Sequence, residues 1–520
     1  MLKDLQQPQK NIFIFIVVTF FFIVFLLLFS MTMQKKLDHD EHQFIASGEL
    51  LANKLLVPYK DYPHNHMPYL VFVYASIFKF TDHILLGARI FNVVCAWLSL
   101  ILIFYISFNF FRRHHYLISF LISAGSVIFL MTNPLFVYTS GISWNHDLPI
   151  LFTLLAFVFH CHGATLGKAR KWLFFSGILL GLAIGTRLSF ATAIVPSFIM
   201  IVLYPNTTMS ESKLNLFLLF SLGVFLALLP ALVMFVLTPE QFIFGNIEYA
   251  KLNTLYRQES GYHQAMTIIS KLKYLTIKVV CKLGNLKIFF PYIFFFFSAN
   301  IIKHCVKTDN YFEDIFLLFL ILFLLVGSFA PTPSWYQYFY APIPFLVLGI
   351  LFRAAYFYNQ YKSTSPGLKL FSHIIIIFMI IVSIGGLSYY RHIYYLLSPN
   401  EWFTNKVHKI GVEIKTAVEK GKVLTFAPIF PLEGGAEIYE EFVNGPFEWR
   451  TASLLPKNKR KELGVISEDD LNDFLRKQPP GAILVGFEED LEKSLVTYAK
   501  ENGYKASELS NGKTLWLSPY

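Results

Sequence analysis

Between residues 34 and 69 the chain reads QKKLDHDEHQFIASGELLANKLLVPYKDYPHNHMPY, a polar stretch that follows the first long apolar run without a break. Asp38, Asp40 and Glu41 lie within a few residues of that boundary. His39, His42, His64 and His66 share the stretch, and Pro63 and Pro68 shape its far end. Carboxylates and imidazoles this close to lipid fit a polar reaction centre. They equally fit a solvated connecting loop, and His64 and His66 read more readily as plain loop residues than as ligands. Two further groups carry chemistry. Asp147, in SWNHD, opens an apolar run, where an acid also serves as a simple helix N-cap. Arg187 interrupts another apolar run, a costly position unless it meets an anion. A lipid-linked phosphate is one natural partner, and the carboxylate of Asp147 is the structural alternative. PTPSWYQYFYAP (331–342) leads into a late apolar run.

The elements that must position these groups are membrane helices. The chain has 520 residues, 55% of them hydrophobic, 18% aromatic and only 15% charged, which a soluble domain of this size has no use for. The net charge of +10 falls largely in short loops between apolar runs, so membrane orientation explains it better than nucleic acid. Cys95, Cys161, Cys281 and Cys305 have neither disulfide-framework nor zinc-site spacing. Residues 11–33 are too long for a signal-peptide core and read as a retained first helix.

About twenty apolar residues span the hydrocarbon. On that measure 67–80 is too short and is expected to lie on the outer surface. Spans are expected at 86–110, 117–136, 147–163, 172–204 as two short helices broken near Arg187, 214–238, 288–302, 314–330, 337–357 and 370–389. That makes about eleven, with long outer loops at 34–85 and 239–287. Arg112, Arg113, Lys168, Lys303–Lys307 and Lys362–Lys369 then face the cytoplasm, and the C-terminus lies outside. Lys271, Lys273, Lys278 and Lys282 run against the positive-inside rule. Residues 1–390 thus form a membrane domain. From 391 to 520 the composition turns polar, with strand-like runs at 423–427, 482–486 and 514–518 and helical patterns at 403–420, 467–477 and 488–502. This predicts a small α/β domain without a phosphate-binding glycine loop.

The order of these segments resembles a known family. DEHQFIASGELLANKLLVPYKDYPHNHMPYL resembles the first outer loop of GT-C glycosyltransferases, especially glycosyltransferase family 39, which contains protein O-mannosyltransferases and the lipid A aminoarabinose transferase. SWNHDLPILFTLLAF resembles the family's second acidic site. GLAIGTRLSFATAIVP resembles the segment carrying its lysine or arginine, and YQYFYAPIPFLVLG its late helix with a tyrosine, here Tyr338. The resemblance covers roughly residues 10–350. It departs at Met67–Pro68, where the family often has Pro-Pro.

The resemblance implies an integral, multi-pass enzyme of the plasma membrane. It would move a sugar from a polyprenyl-phosphate donor on the outer face to a lipid, glycan or protein acceptor. Asp40 would be the general base of an inverting displacement and Arg187 the holder of the leaving phosphate. Asp38, Glu41, His64, His66, Asp147 and Tyr338 would contact substrate. No nucleic acid is implied and no cofactor is required, although Asp40 with Asp147 offers ligands to a divalent metal. Two other readings share the membrane setting: a transporter or flippase of a polar lipid, and a polysaccharide polymerase or ligase. A transporter holds its charges near the bilayer midplane, whereas these gather at one face.

Overall fold

The computed structural model describes residues 7–111, 114–165, 169–203, 212–261, 266–303, 311–359, 361 and 364–519. Arg112, Arg113, Lys168, Lys307, Lys362 and Tyr520, whose side of the membrane the sequence reading assigns, lie outside the described residues.

The membrane part is built of α1 (Gln7–Met33), α2 (His39–Lys54), α3 (Tyr69–Phe78), α4 (Ile84–Phe110), α5 (Tyr116–Met131), α6 (Pro134–Thr139), α7 (Asp147–Thr165), α8 (Ala169–Thr186), α9 (Ile194–Leu203) and α10 (Lys213–Leu237). It continues through α11 (Pro239–Ile243), α12 (Tyr249–Glu259), α13 (Ile268–Tyr274), α14 (Leu283–Lys303), α15 (Tyr311–Phe329), α16 (Ile343–Asn359) and α17 (Pro366–Gly386). Among the described residues seven of these helices are long and apolar enough to cross a bilayer. The pair 268–280 and 283–298, bent by 106°, makes an eighth if it is one broken span. Helices Tyr116–Met131 and Leu188–Leu203 are apolar but shorter, and α8 begins on Ala169, Arg170 and Lys171. The count of eleven therefore depends on segments that length and apolarity alone do not mark as spans.

Small residues let α8 and α10 touch. Gly177 faces the carbonyl of Phe220 and Gly223 that of Phe174, both too close for a Cβ, so backbone packs on backbone as membrane helices favour. At ten residues α3 is about 15 Å long, half of what a crossing needs, and it packs instead against α2.

The 239–287 segment, expected as a long outer loop, carries short helices among its described residues. α11 runs through a π-helical turn at Phe244–Glu248 into α12, and α13 runs through another at Leu275–Val280 toward α14. Two of its four anomalous lysines have structural duties. Lys271 donates to the carbonyls of Phe329 (2.7 Å), the last residue of α15, and of Pro331 (2.8 Å), and Lys282 lies 4.0 Å over the ring of Tyr336.

The C-terminal domain holds α18 (Phe403–Ala417), β1 (Val423–Thr425), α19 (Ile429–Glu433), α20 (Phe447–Ala452), α21 (Lys457–Leu463), α22 (Glu468–Lys477), β2 (Ala482–Val485), α23 (Lys493–Glu501), β3 (Lys505–Glu508) and β4 (Thr514–Leu517). The sheet order is β1-β2-β4-β3, with β1 parallel to β2 (Val423 opposite Ala482) and the other pairs antiparallel. β3 reads KASE and is exposed throughout, so no apolar alternation announces it. α23 starts later than expected because the Glu492 carboxylate accepts the N–H of Gly486 (2.7 Å) and fixes a turn there.

This domain docks on the first polar stretch. Asn444 donates to the carbonyl of Pro63 (2.8 Å), Lys54 pairs with Glu437 (3.0 Å), and the N–H of Leu85 donates to Glu433 (2.6 Å). Lys459 lies 3.8 Å from Glu248. The C-terminal domain, residues 34–85 and the 239–287 helices therefore sit at the same end of the bundle.

Candidate active site

α2 begins with three acids, and its local geometry gives each a different task. Asp38 is the N-cap: its carboxylate accepts the N–H of Asp40 at 3.0 Å. Glu41, three residues on, completes the capping box by accepting the N–H of Asp38 at 3.0 Å. Glu41 is then locked further. Arg89 of α4 clasps it through both Nη2 (2.7 Å) and Nε (3.0 Å), and the N–H of Ser143 adds a bond of 3.0 Å. Both side chains of that pair are 0% exposed. Asp40 differs, because its carboxylate is 27% exposed and faces an open cavity beside His39, 3.5 Å away.

The cavity measures about 910 Å³ and lies between α2, the turn before α7, the break after α8, α12 and the segment before α16. At that break Thr186 ends a helix, Arg187 is extended (φ −152°, ψ 114°), and a 3₁₀ helix, Leu188–Ala193, follows. The guanidinium is thereby turned into the cavity. Its Nη1 donates to Asn145 Oδ1 (2.9 Å) and reaches His146 Nε2 (2.8 Å). Its Nε donates to Ser189 Oγ (3.2 Å), and its plane lies 5.0 Å from the ring centre of Tyr338. The charge of Asp40 acts on both Arg187 and Tyr338 across this space.

Five of the eight residues expected at the site line this one cavity: Asp38, Asp40, His66, Arg187 and Tyr338. Three, Glu41, His64 and Asp147, stand behind its wall. Glu41 is occupied by Arg89. His64 is buried, with its Nδ1 3.2 Å from Ser47 Oγ. Asp147 is buried at the start of α7, where it accepts the N–H of Gly141 (2.7 Å) and so holds the turn that presents Asn145 and His146. The Asp147 carboxylate is therefore not the partner of Arg187, nor does it line the cavity with Asp40 to share a metal there.

Burial and the neighbouring Asp40 carboxylate push the Asp38 carboxyl up to about 6. Burial pushes His66 down to about 3, with His64 and Arg187 adding to it, so this imidazole is neutral at physiological pH. Its ring stacks on Phe44, 5.1 Å between centres, and is placed to hydrogen-bond rather than to carry charge. Gly245 keeps the adjoining π-helical turn tight against the chain, since a Cβ there would strike the carbonyl of His64.

Sequence reasoning passed over Asn145 and His146, although they stand in the same SWNHD run as Asp147. Arg257 and Trp335 also line the cavity, 5.6 Å apart as cation and ring. Their signal was polar and aromatic residues clustered in segments read as loops. A divalent cation has three donors at this wall, because ligand atoms of Asp38, His39 and Asp40 lie within 4.8 Å of one another.

No protein-family model and no curated protein sequence matches the chain. Solved structures do. The crystal structure of ArnT from Cupriavidus metallidurans bound to undecaprenyl phosphate matches with a TM-score of 0.59 at 14% identity, covering 96% of this chain and 97% of that one. The chain shares the fold of that structure. The oligosaccharyltransferase of Archaeoglobus fulgidus, tethered with an acceptor peptide, matches with a TM-score of 0.51 at 10% identity, over 97% of this chain and 74% of that one. The same archaeal enzyme in complex with Zn and sulfate matches with a TM-score of 0.50 at 10% identity, over 95% and 72%. The chain is accordingly a polytopic membrane protein of this shared fold, mainly helical, with a small α/β part at its C-terminus.

Proposed function

We propose that the protein is a membrane glycosyltransferase that takes a sugar from a polyprenyl-phosphate donor and gives it to a lipid, glycan or protein acceptor on the outer face of the plasma membrane. The observation that carries this reading is that Asp40 and Arg187 line a single cavity. The fold adds weight, because ArnT, which shares it, was crystallised with undecaprenyl phosphate.

In this reading Asp40 accepts the proton of the acceptor hydroxyl as its oxygen attacks the anomeric carbon from the face opposite the phosphate. The new C–O bond forms, the bond to the phosphate oxygen breaks, and the configuration inverts. Arg187, held by Asn145, Ser189 and the face of Tyr338, meets the negative charge that grows on the leaving phosphate. Asp38 sets the first turn of α2, on which Asp40 stands. His66 supplies a neutral hydrogen-bonding group. Asp38, His39 and Asp40 are donors that suit a divalent cation, which when bound supplies Lewis-acid neutralisation of phosphate charge.

The test is transfer of a labelled sugar from polyprenyl phosphate to endogenous acceptors in membranes containing the protein. Protein-dependent labelling that vanishes in Asp40→Asn supports the reading. Movement of the intact lipid-linked sugar between leaflets without transfer overturns it in favour of a flippase.

A further inference from the structure

Away from the cavity, the seam between the membrane part and the C-terminal domain gathers a second set of donors. His83 immediately precedes α4, His408 lies in α18, and Glu433 ends α19. Ligand atoms from all three lie within 4.8 Å of one another. The two imidazoles stack face to face, with ring centres 3.8 Å apart and planes inclined by 22°. Glu433 is 2% exposed, and its two oxygens are both placed: one accepts the N–H of Leu85 at 2.6 Å and the other faces His408 Nδ1 at 2.9 Å. His83 Nδ1 is buried and has no hydrogen-bond partner among the described residues.

A buried ring nitrogen without a partner is a cost the fold bears unless something occupies its lone pair. The surroundings point to what that is. Glu49, which feels the charges of Glu433 and Asp82, has a buried Oε2 likewise without a partner, and Asp82 also acts on His408. Lys79 is the positive group among those acting on Glu49. The pocket therefore holds excess negative charge together with two imidazoles, a combination that attracts a cation and selects by donor type. Calcium and magnesium prefer all-oxygen sites, whereas two imidazoles and a carboxylate suit zinc and its neighbours. The backbone N–H of Leu85 that orients Glu433 is the kind of outer contact that metal-ligating carboxylates have.

We infer that His83, His408 and Glu433 form a binding site for a divalent transition ion of the zinc class, which clamps the C-terminal domain to the membrane part. The clamp reaches the catalytic wall indirectly. His83 opens the helix whose Arg89 holds Glu41, and Glu41 fixes the first turn of α2 that carries Asp40. The inference stands independently of the sugar-transfer reading.

The experiment uses the purified full chain in detergent, stripped with a chelator and titrated with Co2+ as a visible probe and with Zn2+ by competition. Wild-type protein should take up the ion stoichiometrically and show the intense visible absorption of a four-coordinate Co2+ centre. That absorption should persist in Asp40→Asn, which removes a donor from the other candidate group. It should disappear in His83→Gln and His408→Gln, with the Kd for Zn2+ rising about 100-fold or more. Protease resistance of the segment 387–402 should fall in the same two variants. Wild-type protein that binds no stoichiometric ion at micromolar concentration overturns the inference, whatever the variants do. So does an absorption that survives both histidine substitutions, or one lost in Asp40→Asn alone.

Discussion

Three acids open α2, and changing each to its amide should give three different defects. Asp38→Asn keeps a side chain that caps about as well as aspartate, so stability should change by less than about 1 kcal/mol and turnover by less than about tenfold. Glu41→Gln leaves Arg89 buried without its counter-charge. Breaking one partner of a buried pair costs about 3 to 5 kcal/mol, a large share of the total stability of a typical domain. Asp40→Asn removes no bond that holds the helix, so the protein should fold as the wild type does. It should lose the proton acceptor, worth roughly 100- to 10,000-fold in rate. The assay pairs thermal unfolding of purified protein with sugar transfer in membranes from a polyprenyl-phosphate donor. Asp40→Asn should be stable and nearly inactive with donor binding retained, and Glu41→Gln poorly stable. If Asp40→Asn turns over normally while Asp38→Asn is dead, Asp38 is the base. If both remain active, α2 does not carry the chemistry. A Glu41→Gln protein as stable as wild type, with only a raised KM, would return Glu41 to the substrate.

Arg187→Lys keeps the charge but cannot hold Asn145, Ser189 and the Tyr338 face together, so the KM for the lipid donor should rise about tenfold or more with folding intact; misfolding without a donor-specific defect would mark the arginine as structural. Burial pushes Glu448 up to about 7 from an ordinary 4.5, so the folded state keeps a proton that the unfolded state loses across that window, and stability falls as pH rises from about 4.5 to about 7. Glu448→Gln should remove that loss, gaining up to about 3 kcal/mol over wild type at pH 8 and little at pH 4.5, read from unfolding midpoints at both pH values. Membrane-impermeant labelling of cysteines introduced at Arg112 and Lys168 should report the cytoplasm, whereas labelling at Asp40 and at Lys477 in the C-terminal domain should report the outside; a cytoplasmic signal from Lys477 would overturn the helix count.

The amino-acid sequence determined the kind of molecule. Long apolar runs can fold only as membrane helices, because their backbone groups find no other partners in lipid. The change of composition after Arg391 marked where the long apolar runs stop, and three strands beyond it were legible because strands that pack on a core are short runs of apolar residues. The break at Arg187 was readable from a single charge in an apolar context.

What the tertiary structure decided is which polar groups meet. Asp38, Asp40 and Glu41 are nearly identical as residue types, and the difference among them is made by Arg89, 48 positions away, whose guanidinium claims Glu41 and leaves Asp40 to the cavity. Asp147 and Arg187 looked like natural partners by charge, yet the turn at Gly141 claims the carboxylate and offers Asn145 and His146 to the arginine instead. The helices within the 239–287 segment were not legible because they are short and interrupted by π turns, so they carry no long regular period. Periodicity and composition report what one segment does with solvent. Which side chains share a cavity depends on how segments far apart in the chain pack together, and no local pattern contains that.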